Sequence, residues 1–130
     1  MYFRYTGIRV RNLQRSVRFY TQVMGMRLNL EGKTDHGGVW VELKSPGSAQ
    51  RLELNYYPPH SKFHEKFRTG SELDHLAFWV ENVDSKFEQL VRKGAKKAVK
   101  PFAQGKYRFA FLKDPDGLWI ELIGRAKRQN

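Results

Sequence analysis

The sequence has 130 residues, a net charge of +11 and no cysteine. This length suits one domain with a core of its own, and the lack of cysteine excludes disulfides, thiolate metal sites and thiol catalysis. No apolar run approaches the ~18 residues of a membrane span, and the start, Met1-Tyr2-Phe3-Arg4, does not resemble a signal peptide, so we expect a cytoplasmic protein. The charge implies attraction to anions, which are nucleic acid, acidic lipid or small substrates. Because the basic residues form no compact patch with interleaved aromatics, composition alone supports nucleic-acid binding, and we expect a small anionic partner and neither membrane nor nucleic acid.

The first half of the chain predicts one helix and four strands. The helix begins after Asn12, a capping residue, and ends at Gly25. Its apolar positions fall at helical spacing: Leu13, Val17, Tyr20 and Met24. Residues 31–38 are predicted to form a loop. Runs of aromatic and branched residues bounded by turn signals predict the strands, at residues 5–10, 26–30, 39–43 and 51–57.

The second half repeats this pattern after a polar segment, residues 58–72, which we interpret as a linker. A helix is predicted from Asn82 to Gly94, and residues 100–105, with Pro101, are predicted to form a loop. Strands are predicted at residues 73–80 and 95–99, and a β-hairpin at residues 107–124 around the turn sequence Asp114-Pro115-Asp116-Gly117. Residues 125–130 are predicted to be a solvated basic tail.

The two halves also share short sequences. Val10-Arg11-Asn12-Leu13 matches Val80-Glu81-Asn82-Val83, and Arg51-Leu52-Glu53-Leu54 matches Trp119-Ile120-Glu121-Leu122. A sheet with one helix per half cannot cover both of its faces, so it must curl or pair with its copy. The repeat therefore predicts an α+β fold for residues 1–130: two βαβββ modules, residues 5–57 and 73–124, whose curled mixed sheets form a cup.

Strand alternation separates an aliphatic face, which can pack on a helix, from an opposite face with polar and aromatic residues. The residues of that opposite face are Tyr5, Arg9, Glu53 and Asn55 in the first half, and His75, Trp79 and Glu121 in the second. If the two faces meet, one imidazole and two carboxylates converge, which is ligand chemistry for Zn, Ni, Co, Mn or Fe. The residues also allow His75 as a structural histidine and Arg9 as an ordinary surface arginine.

The sequence resembles the vicinal oxygen chelate superfamily, and within it glyoxalase I (lactoylglutathione lyase). The motifs that carry the resemblance are residues 5–10 (YTGIRV), 16–20 (SVRFY) and 114–122 (DPDGLWIEL). The resemblance implies paired βαβββ modules around a divalent metal, commonly completed by a homodimer. It places the four ligand positions at Tyr5, Glu53, His75 and Glu121. Three of them carry the family's residue type, while Tyr5 stands where the family has His, so we expect His75, Glu121 and Glu53 to be the ligands.

The resemblance further implies a lyase or isomerase that acts on a small oxygen-chelating substrate, such as a thiol–methylglyoxal hemithioacetal. Glu121 or Glu53 would transfer the proton, and the expected substrate contacts are Arg9, Asn55, Trp79 and Tyr5. An alternative is a metal-free protein of the bleomycin-resistance type, which binds a small molecule in the same cup. Other reactions of the superfamily, such as extradiol ring cleavage or epimerisation, also fit this pattern.

Overall fold

A computed structural model describes residues 1–35, 37–70 and 73–126 of the chain. Residues 71 and 72 of the predicted linker and residues 127–130 of the predicted tail lie outside the described part. The chain divides into two compact units, Met1–Arg68 and Thr69–Asn130. Among the described residues, no helix is both long and apolar enough to cross a membrane.

The first unit contains a four-stranded mixed sheet and a helix. Its strands are β1 (Thr6–Arg9), β2 (Arg27–Lys33), β3 (Val39–Lys44) and β4 (Arg51–Tyr56). They lie in the order β1-β4-β3-β2, with β1 parallel to β4 and the other neighbours antiparallel. Helix α1 (Leu13–Arg18) continues directly into a π-helical segment, Phe19–Val23.

The second unit repeats this arrangement. Its strands are β5 (Leu76–Trp79), β6 (Lys96–Gln104), β7 (Tyr107–Lys113) and β8 (Trp119–Arg125), and its helix is α2 (Val83–Arg92). The strand order β5-β8-β7-β6, with β5 parallel to β8, is the same as in the first unit. The predicted fold class, an α+β protein of two βαβββ modules with mixed sheets, is confirmed.

Each sheet buries one face beneath its own helix and leaves the other face open. Helix α1 packs on β4, and α2 packs on β6, β7 and β8. The buried strand residues alternate along the chain as predicted: Ile8, Val41, Leu43, Leu52 and Leu54 in the first unit, and Ala110, Leu112, Ile120 and Leu122 in the second. Because neighbours along a strand point to opposite sides, Glu53 and Glu121 lie on the open faces.

Both helices begin at the predicted asparagines. The side-chain oxygen of Asn12 accepts from the backbone N–H of Arg15, and that of Asn82 accepts from Ser85, each at 3.0 Å. Each bond satisfies a donor that the first helical turn leaves without a partner. The π-helical segment was not predicted. There the hydroxyl of Thr21 donates to the carbonyl of Val17 at 2.6 Å, a local bond that competes with regular helix pairing.

Strand β6 corrects one sequence prediction. The loop predicted at residues 100–105 is wrong, because β6 continues from Lys96 to Gln104. It pairs with β7 through two register shifts, and Pro101 falls at the second, between Val99 and Phe102. Proline cannot donate to a ladder, but an edge strand with a bulge accommodates it. Strand β2 likewise extends to Lys33, into the loop predicted at residues 31–38.

The predicted hairpin between β7 and β8 is confirmed, and its turn depends on a buried carboxylate. Asp114 is 1% exposed, and its Oδ1 accepts from the backbone N–H groups of Asp116 at 2.9 Å and Leu118 at 2.8 Å. Gly117 has a φ of +91°, which favours glycine. The carboxylate at this turn therefore has a structural role.

A two-point contact joins α2 to β7. Arg108 donates to both carboxylate oxygens of Asp84 in the first turn of the helix, with the Nη2–Oδ1 bond at 2.8 Å. The hydrogen bond to Asp84 raises the pKa of Arg108 above its ordinary value. A negative charge at Asp84 also suits the helix N-terminus.

Candidate functional site

The second unit brings His75 and Glu121 together. Glu121 lies on β8 opposite Ala77 of β5, and His75 immediately precedes β5. The parallel pairing therefore sets the imidazole beside the carboxylate, with His75 Nε2 at 3.6 Å from Glu121 Oε2. The side chains are 32% and 14% exposed, so both are partly withdrawn from water.

Asp74 fixes which nitrogen of His75 carries a proton. Its Oδ2 lies 2.6 Å from His75 Nδ1. A carboxylate accepts hydrogen bonds, so Nδ1 is the donor and the neutral ring presents the lone pair of Nε2 toward Glu121. This is the arrangement that orients metal-binding histidines in many proteins. Asp74 was not predicted from the sequence, although an acidic residue directly before His75 is a signal for such a contact.

The donor set of this pair fits a divalent metal ion. The 3.6 Å separation of His75 Nε2 and Glu121 Oε2 is longer than a hydrogen bond. Two ligands bound at about 2.1 Å to one ion can be up to ~4 Å apart, so the separation suits a shared ion. Among residues 1–35, 37–70 and 73–126, no three His, Cys, Asp or Glu side chains are close enough together to hold a metal. His75 and Glu121 are thus the candidate pair of metal ligands in the second unit.

In the first unit, Glu53 lies on the open face of β4. Its neighbours across the sheet are Gly7 on β1 and Glu42 on β3. Glu42 was not identified from the sequence, and it accepts a hydrogen bond from Asn29 Nδ2 at 3.1 Å. The ring of Tyr5 lies on the same side, since a Cβ added to Gly7 would be 3.9 Å from Tyr5 Cε2. The phenol and the carboxylate therefore share one face of the sheet.

Two of the three predicted substrate contacts of the first unit, Arg9 and Asn55, line one cavity of about 210 Å³. Arg9 Nη1 donates to the carbonyl of Phe63 at 2.7 Å, and its guanidinium lies 4.8 Å from the ring centroid of Tyr57. His64 lies at the same cavity, with Nδ1 at 3.0 Å from the Tyr57 carbonyl. The Phe63 carbonyl, in the segment interpreted as a linker, thus contacts the guanidinium.

Trp79, the remaining predicted contact, lies on the open face of the second sheet. It pairs with Ile123 on β8, two positions after the pair Ala77–Glu121, and therefore points to the same side as Glu121. Its side chain is 59% exposed, and its ring packs edge-on against Tyr107 at 6.3 Å between centroids.

Residues 2–122 match the sequence model of a protein family, the Glyoxalase/Bleomycin resistance protein/Dioxygenase superfamily. The chain belongs to this superfamily. The resemblance stated from the sequence motifs is therefore confirmed, and it covers both βαβββ units.

Individual members of the superfamily give a finer comparison. The chain is 31% identical over 133 residues to a probable lactoylglutathione lyase of Synechocystis sp., covering all of both chains. The crystal structure of glyoxalase I from Zea mays matches with a TM-score of 0.74 and 29% identity, covering 95% of this chain and 44% of that one. The present chain thus spans about half of the maize chain.

A third matching structure is named as a binding protein. TnmS3, an antibiotic binding protein from a Streptomyces species, matches with a TM-score of 0.74 at 20% identity and covers 97% of both chains. At that identity the likeness shows the fold alone.

Proposed function

We propose that this protein is a metal-dependent lyase or isomerase of the glyoxalase I type. The observation that carries the proposal is the Asp74–His75–Glu121 arrangement. Asp74 accepts from Nδ1 of the imidazole, and Nε2 faces the Glu121 carboxylate at 3.6 Å. The similarity to chains described as lactoylglutathione lyases supports the reaction class. The proposed substrate is a small molecule with two neighbouring oxygens, such as a thiol–methylglyoxal hemithioacetal.

His75 and Glu121 would hold the metal together with Glu53 of the first unit. Such an ion, when bound, polarises the two neighbouring oxygens of the substrate as a Lewis acid. Tyr5 is a poor fourth ligand, because an ordinary phenol is protonated at neutral pH. We assign it to the wall of the binding site, where its ring can contact the substrate.

The two glutamates are the groups that move the proton. The carboxylate of Glu121 or Glu53 takes a proton from the carbon beside the carbonyl and returns it to the neighbouring carbon. The isomerisation is complete when a second proton also passes from the hydroxyl of the first carbon to the oxygen of the second, and no outside oxidant or reductant is consumed. Arg9 and Asn55 would bind an anionic part of the substrate, with the Arg9 fork matching a carboxylate.

A lyase assay on metal-loaded protein tests this proposal. The protein is loaded in turn with Zn²⁺, Ni²⁺ and Co²⁺, and thioester formation from methylglyoxal and a thiol is followed by absorbance. We expect activity that disappears with a chelator, returns with metal, and falls by at least ~100-fold in Glu121→Gln. The control is Glu31→Gln, which removes an exposed carboxylate from β2. No activity with any of the three ions at full occupancy would exclude the reaction.

The second candidate is a metal-free protein that sequesters a small molecule. It is favoured by Tyr5 at the usual histidine position and by the exposed ring of Trp79. It predicts a protein that takes up no Zn²⁺, Ni²⁺ or Co²⁺, whereas the lyase proposal requires uptake.

A further inference from the structure

The open face of the second sheet carries a continuous row of aromatic rings, here called the aromatic ridge. Its members are Trp79, Phe102, Tyr107, Phe109, Phe111 and Trp119. Phe102 stacks on Phe109 at 5.7 Å and on Phe111 at 6.4 Å between ring centroids. Tyr107 joins Phe109 to Trp79 at one end, with centroid distances of 6.4 and 6.3 Å. Phe111 packs on Trp119 at 5.7 Å at the other end.

The ridge is built by strand periodicity and one bulge. Tyr107, Phe109 and Phe111 alternate along β7, so all three point to the open face. The register shift at Pro101 places Phe102 opposite Phe109. The buried face of β7 is filled instead by Ala110 and Leu112. The ridge is therefore separate from the core.

Four rings of the ridge are substantially exposed: Phe102, Tyr107 and Trp119 at 37–38%, and Trp79 at 59%. An exposed apolar row of this kind indicates a binding surface. Rings that stack or meet edge-to-face attract one another by more than their buried area alone provides. The exposed ring surfaces can make the same contacts with a ligand.

The ridge is continuous with the candidate metal pair. His75 packs edge-on against Phe111 at 5.9 Å, and Glu121 pairs with Phe111 across β7 and β8. Lys113 Nζ lies 5.2 Å from the ring centroid of Trp119, at the same end of the ridge. The candidate metal pair and Lys113 thus lie at one end of the ridge, and the other rings extend away from them beside Ile123 and Arg125 of β8.

We propose that the aromatic ridge binds a flat, fused-ring part of the ligand whose neighbouring oxygens reach the ion that His75 and Glu121 would hold. Successive ring contacts along the ridge are about 6 Å apart, so a single benzene ring meets one neighbouring pair, while a fused system contacts more. The inference rests on the proposed function, because it takes the molecule bound at His75 and Glu121 to be the one that lies on the ridge. The expected ligand therefore has a polycyclic aromatic group in the position that the methyl group occupies in a methylglyoxal adduct.

The test is a calorimetric titration of Zn²⁺-loaded protein with two chelating probes. One probe, 2,3-dihydroxynaphthalene, has fused rings and neighbouring oxygens, and the other, acetohydroxamate, has the oxygens without rings. We expect Trp119→Ala and Phe102→Ala, which remove the two exposed rings that pack on Phe111 beside His75, each to weaken binding of the naphthalene probe about 3- to 10-fold. Binding of acetohydroxamate should stay unchanged. Tyr2→Ala, which removes an exposed aromatic side chain of the first unit, is the control and should alter neither probe.

Wild-type affinity of both ridge variants for the naphthalene probe overturns the inference. The inference is also overturned if those variants sediment differently from wild type while probe binding is unchanged. The ridge would then be a contact between two copies of the chain. The lyase assay separates this result from the proposed function. If the protein is inactive in the lyase assay but probe binding depends on the ridge, the proposed reaction is excluded and the inference stands. If the protein is active but probe binding does not depend on the ridge, the reaction stands and the inference is excluded.

Discussion

At the scale of single residues, the ring of His75 lies between two carboxylates, one near each of its nitrogens. Asp74 accepts from Nδ1 at 2.6 Å, and Glu121 lies 3.6 Å from Nε2. Asp74 itself is 92% exposed, so the contact is in reach of solvent. Its contribution is to orientation and to the choice of tautomer, which set how strongly Nε2 can bind an ion.

We expect Asp74→Ala to lower Zn²⁺ affinity by about 10- to 100-fold, because the imidazole loses the acceptor that holds Nδ1 protonated. Calorimetric Zn²⁺ titrations measure this directly. Asp35→Ala is the matched control, since it removes an exposed carboxylate of the same charge from a loop of the first unit. Equal Zn²⁺ affinity in wild type and Asp74→Ala would show that Asp74 does not position His75.

Sequence patterns could predict that His75 and Glu121 lie on one face of the second sheet, but they could not predict the contacts of Asp74 or Glu42. Face alternation in β8 assigns Glu121 to the open face, and the repeat makes Glu53 its counterpart. Side-chain contacts such as Asp74–His75 depend on rotamers, which periodicity does not specify. Glu42 opposes Glu53 only because of the β3–β4 register, and register depends on pairing between distant segments.

At the scale of elements, β8 is one of the two inner strands of the second sheet, and it approaches the loop before α2 closely. The backbone N–H of Val80 donates to the carbonyl of Ile123 at 2.9 Å. A Cβ on Gly124 would overlap the carbonyl oxygen of Val80 and crowd Val83 at 3.2 Å. Glycine at position 124 thus permits a close backbone approach.

We expect Gly124→Ala to destabilise the protein by about 1–3 kcal/mol, because a rigid backbone atom would have to move. Gly7→Ala is the matched control in β1, where the added methyl group meets the movable side chain of Asn55 at 3.3 Å. Its effect should stay below about 1 kcal/mol. Urea unfolding measures both changes, and equal free energies of unfolding for wild type and Gly124→Ala would contradict the close approach.

The elements show where sequence patterns are sufficient and where they fail. The caps at Asn12 and Asn82 and the turn at Asp114 are local, and they were predicted because one side chain bonds to its own neighbouring backbone. Strand β6 was not predicted beyond Val99. Pro101 is typical of a loop, and only pairing with β7 through a bulge allows it in a strand. The aromatic ridge was missed for the same reason, since Phe102 lies in that segment.

At the scale of the whole molecule, the open faces of both sheets and the +11 charge require an explanation. Each unit has one helix for one face of its sheet, so the other face offers apolar surface for a ligand or a second chain. We propose that the protein forms a homodimer in which Glu53 of one chain completes the site of His75 and Glu121 in the other. The positive charge would attract anionic substrates to that site.

The metal content of purified variants tests the central claim most directly. Wild type, Glu121→Gln, His75→Ala and Glu53→Gln are equilibrated with Zn²⁺, freed of unbound ion and analysed for metal. We predict about one ion per chain in wild type and little in each variant. A co-refolded equal mixture of Glu53→Gln and His75→Ala should recover about one quarter of the wild-type content, because half of the dimers are mixed and each of these has one intact site. Wild-type metal content in both Glu121→Gln and His75→Ala would contradict the account.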